Sequence, residues 1–316
     1  MRELHLHYQF TTIDQFYRRL DSLPGTGTSA SAKLFQTFSH RHFSARGPIN
    51  FIKILCRMLP LKKFWFNRQR SLKRMLDYTY FDFASDLLEN EKEYRWLYET
   101  FADEESRKTL IQVMLYKITL DRNFLHSCAR HSIDQYYDPE IFSFGQNEVI
   151  ADCGGFNGDS ALLFFRLFGN CRRYYLFEPD PANLDFARRT LKAFSNIEFR
   201  QNSTGACNGL HSFSEKGPSG RIKADGRIKT AMVRLDDAVS EPITLIKADV
   251  EGNETATLDG ACNQIRQHRP RLAICAYHRP DDAWKIARRI RELVPDYRLR
   301  FRLYQSAYCE TVIYAD

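Results

Sequence analysis

The chain has 316 residues, 43% of them hydrophobic and 27% charged, with a formal net charge of +7. That is the balance of a soluble globular protein, long enough for one large α/β domain with an appendage or for two small domains. No apolar run approaches the ~20 residues that cross a bilayer, and the opening "MRELHLHYQF" has an early acid and no apolar core, so neither a membrane span nor a secretory signal is expected and the expected location is cytoplasmic.

Residues 1–135 read as a helical prefix. Ile13, Phe16 and Leu20 recur at helical spacing in "TIDQFYRRLDSL", and Pro24-Gly25-Thr26-Gly27 closes that helix. Further helices are expected over about 49–59, 68–88, 91–101 and 104–120, the last with Asp103 as its N-cap. Charge is unevenly spread: no acid stands between Asp21 and Asp77, while lysines and arginines run from Lys33 to Arg74. The acidic stretch at 77–105 neutralises this basic surface, or the segment 33–74 faces an anionic partner such as a membrane surface. Nucleic acid is not the expected partner. The eight cysteines show no C-x-x-C spacing and read as free thiols.

From Glu148 short apolar runs alternate with helix-length segments. The runs are "EVIADC" (148–153), "YYLFE" (174–178), "IEFRQN" (197–202), "TLIKADV" (244–250), "RLAICAY" (271–277), "YRLRFRLY" (297–304) and "ETVIYA" (310–315). Strands alternating with helices argue for right-handed βαβ units, hence a Rossmann-like, doubly wound, mostly parallel α/β sheet over residues 136–316. The last two runs have no helix between them and predict an antiparallel hairpin at one edge. Residues 215–227 read as a solvent loop or hairpin tip.

In such a sheet a ligand binds beyond the carboxyl ends of the strands, where strand order reverses. The first run ends in "DCGGFNGDS", Asp152 followed by Gly154, Gly155 and Gly158, and the second in Glu178, 26 residues beyond Asp152. The turn is neither G-x-G-x-x-G nor a phosphate loop, and Asp152 at its head would repel a pyrophosphate. An acidic turn suits a nucleoside with a cationic end, and S-adenosylmethionine carries a sulfonium and an ammonium. The fourth run adds a third strand-end acid, Asp249, in "LIKADVEGNE".

The stretches "DQYYDPEIFSFGQNEVIADCGGFNGDS", "YYLFEPDPANL", "VRLDDAV", "LIKADVEGNETATLDGA" and "RPRLAICAYHRPDDAWKIARRIRELVPDYRL" resemble, in order and spacing, the FkbM family of S-adenosylmethionine-dependent methyltransferases. The resemblance covers about 134–315 and only loosely the helical prefix. It implies a class I methyltransferase fold and O-methylation of a sugar, glycan, glycolipid or polyketide-type acceptor. It gives Asp152, Gly154, Gly155 and Gly158 the cofactor's methionine end, Glu178 the ribose hydroxyls, and Asp180 and Asn202 the adenine side. Asp249 would face the methyl group and the acceptor.

His278, at the end of the fifth strand, is the candidate general base, since an alcohol attacking a sulfonium must lose its proton. Other roles stay open. Asp236 reads as the N-cap of a short helix. Lys247 shares a strand face with Asp249 and forms a structural ion pair or contacts substrate, with Tyr277 nearby. Glu254 serves a helix N-terminus, and with Glu251 and Asp249 it could offer oxygen ligands to Mg2+, which is not expected. A methyltransferase fold acting as a catalytically inactive adaptor in glycan assembly or at an anionic membrane is the alternative function. The oligomeric state is not legible.

Overall fold

Apolar residues three and four positions apart build the N-terminal helices, as the periodicity requires. The computed structural model describes residues 12–21, 80–119, 122–213, 228–305 and 309–316. The basic interval 33–74, the loop at 215–227 and the helix expected over 49–59 lie outside them. The chain divides into two compact units, 1–99 with 108–127, and 100–107 with 128–316.

In the first unit Ile13–Asp21 (α1) buries Ile13, Phe16 and Tyr17. Tyr80–Glu89 (α2) and Glu91–Thr100 (α3) come next. The Tyr17 hydroxyl donates to the Leu87 carbonyl at 3.1 Å, and buried Asp86 accepts from Tyr94 Oη and Asn90 Nδ2 at 2.5 and 2.8 Å. The helices Glu104–Thr119 (α4) and Asn123–His126 (α5) complete the prefix. Asp103 caps α4 as expected, its Oδ1 accepting from Ser106 N and Oγ at 2.8 and 2.7 Å. No described helix is long and apolar enough to cross a membrane.

The second unit is a mixed α/β fold. Its elements are Val149–Cys153 (β1), Asp159–Phe168 (α6), Arg173–Phe177 (β2), Pro181–Thr190 (α7), Ile197–Arg200 (β3), Asn202–Thr204 (β4), Gly209–Phe213 (β5) and Ile228–Val233 (β6). The chain continues through Leu235–Ala238 (α8), Leu245–Ala248 (β7), Glu254–Gly260 (α9), Cys262–His268 (α10), Arg271–Cys275 (β8), Asp282–Leu293 (α11), Leu299–Gln305 (β9) and Glu310–Ala315 (β10). Seven strands form one sheet in the order β3-β2-β1-β7-β8-β10-β9. The first five are parallel, and β10 runs antiparallel to both β8 and β9. The Rossmann-like sheet and its edge hairpin are those the sequence predicts.

All five residues of β1 and all four of β7 are buried, as central parallel strands covered on both faces must be. Strand order reverses between these two, which opens the crevice at their carboxyl ends. On one side Phe164 and Phe165 of α6 pack with Tyr137 and Tyr174.

Two expectations need correction. The run 197–202 is two strands: β3 ends at Arg200, and Asn202 opens β4, which joins β6 and β5 in a separate three-stranded sheet. Asp236 is not an N-cap of its own short helix, which starts one residue earlier. Its carboxylate instead accepts from the amides of Asn263 and Gln264 at 3.1 and 2.9 Å, closing the first turn of α10.

Candidate functional site

The strand register sets Asp152 directly beside Lys247. Both are buried, and Lys247 Nζ lies 2.8 Å from Asp152 Oδ1. Ser160 Oγ and Tyr174 Oη donate to Asp152 Oδ2 at 2.6 and 2.8 Å, and Lys247 Nζ also donates to the Gly154 carbonyl at 2.6 Å. Burial favours a neutral lysine, yet Asp152 and then Asp249 hold its pKa above the ordinary value. Asp152 thus anchors the glycine turn from beneath, both carboxylate oxygens having protein partners.

The turn is tight for a steric reason. Gly154 has φ +78°, and a Cβ there would stand 1.9 Å from the Asp249 carbonyl oxygen, so only glycine lets the ends of β1 and β7 approach. Side chains at Gly155 and Gly158 would meet Leu176 and Leu191 at 2.4 and 2.8 Å.

Glu178 stands just beyond β2 and is 5% exposed. Its Oε2 accepts from Phe156 N and its Oε1 from Asp180 N, both at 2.9 Å, with Asn183 Nδ2 at 3.4 Å from Oε1. Burial raises its pKa against the pull of these donors. Asp180 is the N-cap of α7, accepting from Ala182 N and Asn183 N at 2.8 and 3.2 Å. Asn202 Nδ2 donates to the Ala231 carbonyl at 3.1 Å, within the small sheet.

Beyond β7 the chain turns sharply, with Glu251 at φ +57° and Gly252 at +96°. Glu254 folds back to close this turn, its Oε1 accepting from Val250 N and Gly252 N at 2.9 and 3.3 Å. The same oxygen lies 2.8 Å from His278 Nδ1, where both side chains are 1% exposed. The other ring nitrogen, Nε2, lies 3.3 Å from Asp249 Oδ1 and 3.8 Å from Glu251 Oε2. Asp249 accepts from Tyr136 Oη at 2.9 Å on Oδ2 and from Tyr277 Oη at 3.2 Å on Oδ1.

This geometry sets the charges. Burial disfavours a protonated His278, but Glu254, Asp249 and Glu251 outweigh it and lift its pKa from 6.5 to about 9. Burial would raise Asp249, but His278, Lys247 and the two tyrosine hydroxyls hold it below its usual value. Glu310, at the start of β10, is pushed up to about 7 by burial and by Asp249.

Asp249, Glu251, Glu254, Tyr277 and His278 therefore converge at the ends of adjacent strands, while Asp152 and Lys247 pair one layer below. Sequence reasoning gave no role to Tyr136. It has φ +71°, and its amide donates to Tyr314 Oη at 2.9 Å. Its only sequence signal is the Tyr-Tyr pair before Asp138-Pro139, which does not reveal a partner 113 residues away.

Residues 152–303 match the model of the methyltransferase FkbM domain. The crystal structure of methyltransferase FkbM from Methylobacillus flagellatus KT is similar, with 24% identity, 90% of this chain and 77% of that chain covered, and a TM-score of 0.69. An rRNA methylase from Streptococcus thermophilus matches at 18% identity, over 54% of this chain and 87% of that one, with a TM-score of 0.35. Aeropyrum pernix fibrillarin, solved with natively bound S-adenosyl-L-methionine, matches at 14% identity over 59% and 75%, with a TM-score of 0.39. No curated protein matches the sequence. Residues 152–303 thus form a methyltransferase FkbM domain within the chain.

Proposed function

We propose that this protein transfers a methyl group from S-adenosylmethionine to a hydroxyl of a sugar, glycan or polyketide-type acceptor, with Asp249 and His278 meeting that hydroxyl. The observation that carries this reading is the buried imidazole held between Glu254 at Nδ1 and Asp249 at Nε2, beyond adjacent strands. The acceptor class rests on the family likeness.

The residues fit the cofactor. Glu178 takes two backbone amides at 2.9 Å and the Asn183 side-chain amide at 3.4 Å, and of the about four acceptor positions on a carboxylate one stays open on Oε2 for a ribose hydroxyl. Asp180 and Asn202 support the adenine side indirectly, the first by fixing the start of α7. Asp152, Gly154, Gly155 and Gly158 shape the turn for the methionine end. When bound, the cofactor supplies an electrophilic methyl group on a sulfonium.

The chain's own residues align and deprotonate. Alignment of partners supplies roughly 7 to 11 kcal/mol in such reactions. The Tyr136 and Tyr277 hydroxyls fix the Asp249 carboxylate, and Glu254 fixes the imidazole plane. His278 serves as a base only once its Nε2 is free of the proton that its three carboxylate neighbours favour.

The test is methyl transfer from labelled S-adenosylmethionine to polyol and glycan acceptors, with cofactor binding followed by calorimetry. His278→Ala should lower kcat by on the order of 10² or more with cofactor affinity nearly unchanged. Parental turnover in that variant removes His278 from the reaction. Absence of cofactor binding by the parent protein favours an inactive adaptor.

A further inference from the structure

β10 runs against its neighbours, so it brings its first residue to the edge of the sheet where β7 and β8 end. That residue is Glu310, half-buried. Val312 pairs with Cys275 and Ile313 with Ile274, the Thr311 carbonyl accepts from Ala276 N at 2.9 Å, and Thr311 Oγ1 donates to the Ala276 carbonyl at 3.0 Å. Carried one pair further, this register sets Glu310 across from Tyr277, and opposed residues of an antiparallel pair share a face of the sheet. The Tyr277 hydroxyl donates to Asp249. A second route leads to the same place: the Gln135 side-chain amide donates to Glu310 and, at 3.1 Å, to Tyr136 Oη, which itself donates to Asp249.

The two groups already assigned to the acceptor are poorly prepared to take its proton. His278 has Glu254 Oε1 at 2.8 Å from Nδ1 and Asp249 Oδ1 at 3.3 Å from Nε2, so both nitrogens face acceptors and the ring is held as an imidazolium near neutral pH. Asp249 takes a tyrosine hydroxyl on each oxygen and lies beside that positive charge, which makes it a weak base. Glu310 differs from both. Burial and then Asp249 raise its pKa, Gln135 and His278 oppose them, Asp159 at the start of α6 adds to the rise, and the balance rests at about 7. A carboxylate so balanced is partly ionised at neutral pH and takes up a proton readily.

We propose that Glu310 is the general base of the reaction: its carboxylate removes the proton of the acceptor hydroxyl, while Asp249 and the His278 imidazolium orient that hydroxyl. The acceptor oxygen bonds to the methyl carbon, the carbon–sulfur bond breaks with its electron pair kept by sulfur, and the hydroxyl proton passes to Glu310 and from there to solvent. The inference rests on the methyl-transfer reading and reassigns one proton within it, so that His278 stays charged and acts as a positioning residue. Strand-end reasoning on the sequence overlooks Glu310 because it weighs the carboxyl ends of strands, and only an antiparallel strand delivers its beginning to that edge.

Two readouts on the full chain test this. With isotopically labelled glutamate carboxyls, nuclear magnetic resonance should show a carboxyl that titrates near pH 7 and is missing from Glu310→Gln. In methyl transfer from S-adenosylmethionine to polyol and glycan acceptors, Glu310→Gln should lower kcat by roughly 10²- to 10⁴-fold, with cofactor affinity by calorimetry near the parental value. The rise of kcat/KM with pH through about 7 should disappear in that variant and persist in Glu310→Asp. Added formate should restore part of the turnover of Glu310→Ala, which a purely structural role would not allow, and circular dichroism checks that each variant folds. Parental turnover in Glu310→Gln, or an unchanged pH dependence in it, overturns the proposal. Loss of that pH dependence in His278→Ala alone also overturns it and returns the proton to His278. The expected titration of Glu310 in a chain that neither binds S-adenosylmethionine nor transfers a methyl group upholds Glu310 as the proton acceptor of the site and defeats the methyl-transfer reading instead.

Discussion

Lys247 Nζ lies 2.8 Å from Asp152 Oδ1 with the two side chains 3% and 0% exposed, which makes this pair the buried keystone between β1 and β7. Removing one partner leaves an uncompensated charge in the core, which costs about 3 to 5 kcal/mol. Lys247→Met is expected to lose that much in urea denaturation, and Asp152→Asn in the same chain to restore part of it. A loss under about 1 kcal/mol would mean that solvent or Ser160 and Tyr174 already neutralise Asp152.

Glu178→Ala should weaken S-adenosylmethionine binding by ~2 to 3 kcal/mol, the range of hydrogen bonds to a charged group. Calorimetry reads the affinity. Because Glu178 also accepts from the amides of Phe156 and Asp180, Glu178→Gln is the needed companion: it keeps an acceptor for one amide and should lose less.

Tyr136→Phe removes one hydroxyl from Asp249 and alters nothing else in shape. If that hydroxyl orients the carboxylate toward the acceptor, kcat falls by roughly 10- to 100-fold, the equivalent of one hydrogen bond to a charge. Cofactor affinity should stay near the parental value. A change in cofactor affinity alone would assign Tyr136 to the binding of S-adenosylmethionine.

Acid stability should depend on Asp103. Burial alone would raise its carboxyl, but the Arg302 guanidinium and the Ser106 amide and hydroxyl hold it at about 2, below its ordinary 3.8. The folded-state pKa is depressed, so the stabilisation is complete above about pH 4 and disappears as pH falls toward 2. Asp103→Asn should cost about 1 to 2 kcal/mol at pH 7, the low end for charged hydrogen bonds because the pair is partly exposed and screened. Denaturation midpoints of parent and variant should draw together as pH falls through about 2 and coincide only below it.

The sheet and the positions of its strand-end acids were legible because buried parallel strands are short apolar runs, and the residues that end those runs land on the same edge of the sheet. Asp249 and His278 come together for that reason alone. The small sheet was not legible: "GLHSF" and "IKTAMV" alternate too weakly to be told from loop, and the apolar residues around Asn202 serve a different sheet from the run they continue. Tyr136 escaped because its role depends on a left-handed backbone and a partner on β10. The protonation of His278 escaped too. It depends on Glu254 folding back across Glu251 and Gly252, and no spacing in the sequence expresses that turn.

Within the seven-stranded sheet β9 pairs only with β10, and β10 sits between it and β8. The hairpin must therefore form before or as it docks, since β9 has no other place in the sheet. Tyr314 Oη, on β10, accepts the Tyr136 amide across 178 residues, and Tyr136 in turn donates to Asp249. Closing so long a loop is slow relative to local pairing. The site is thus completed in time by the same event that completes the sheet, and in refolding the ability to transfer a methyl group should return with the slowest structural phase, after the helices and central strands have already formed.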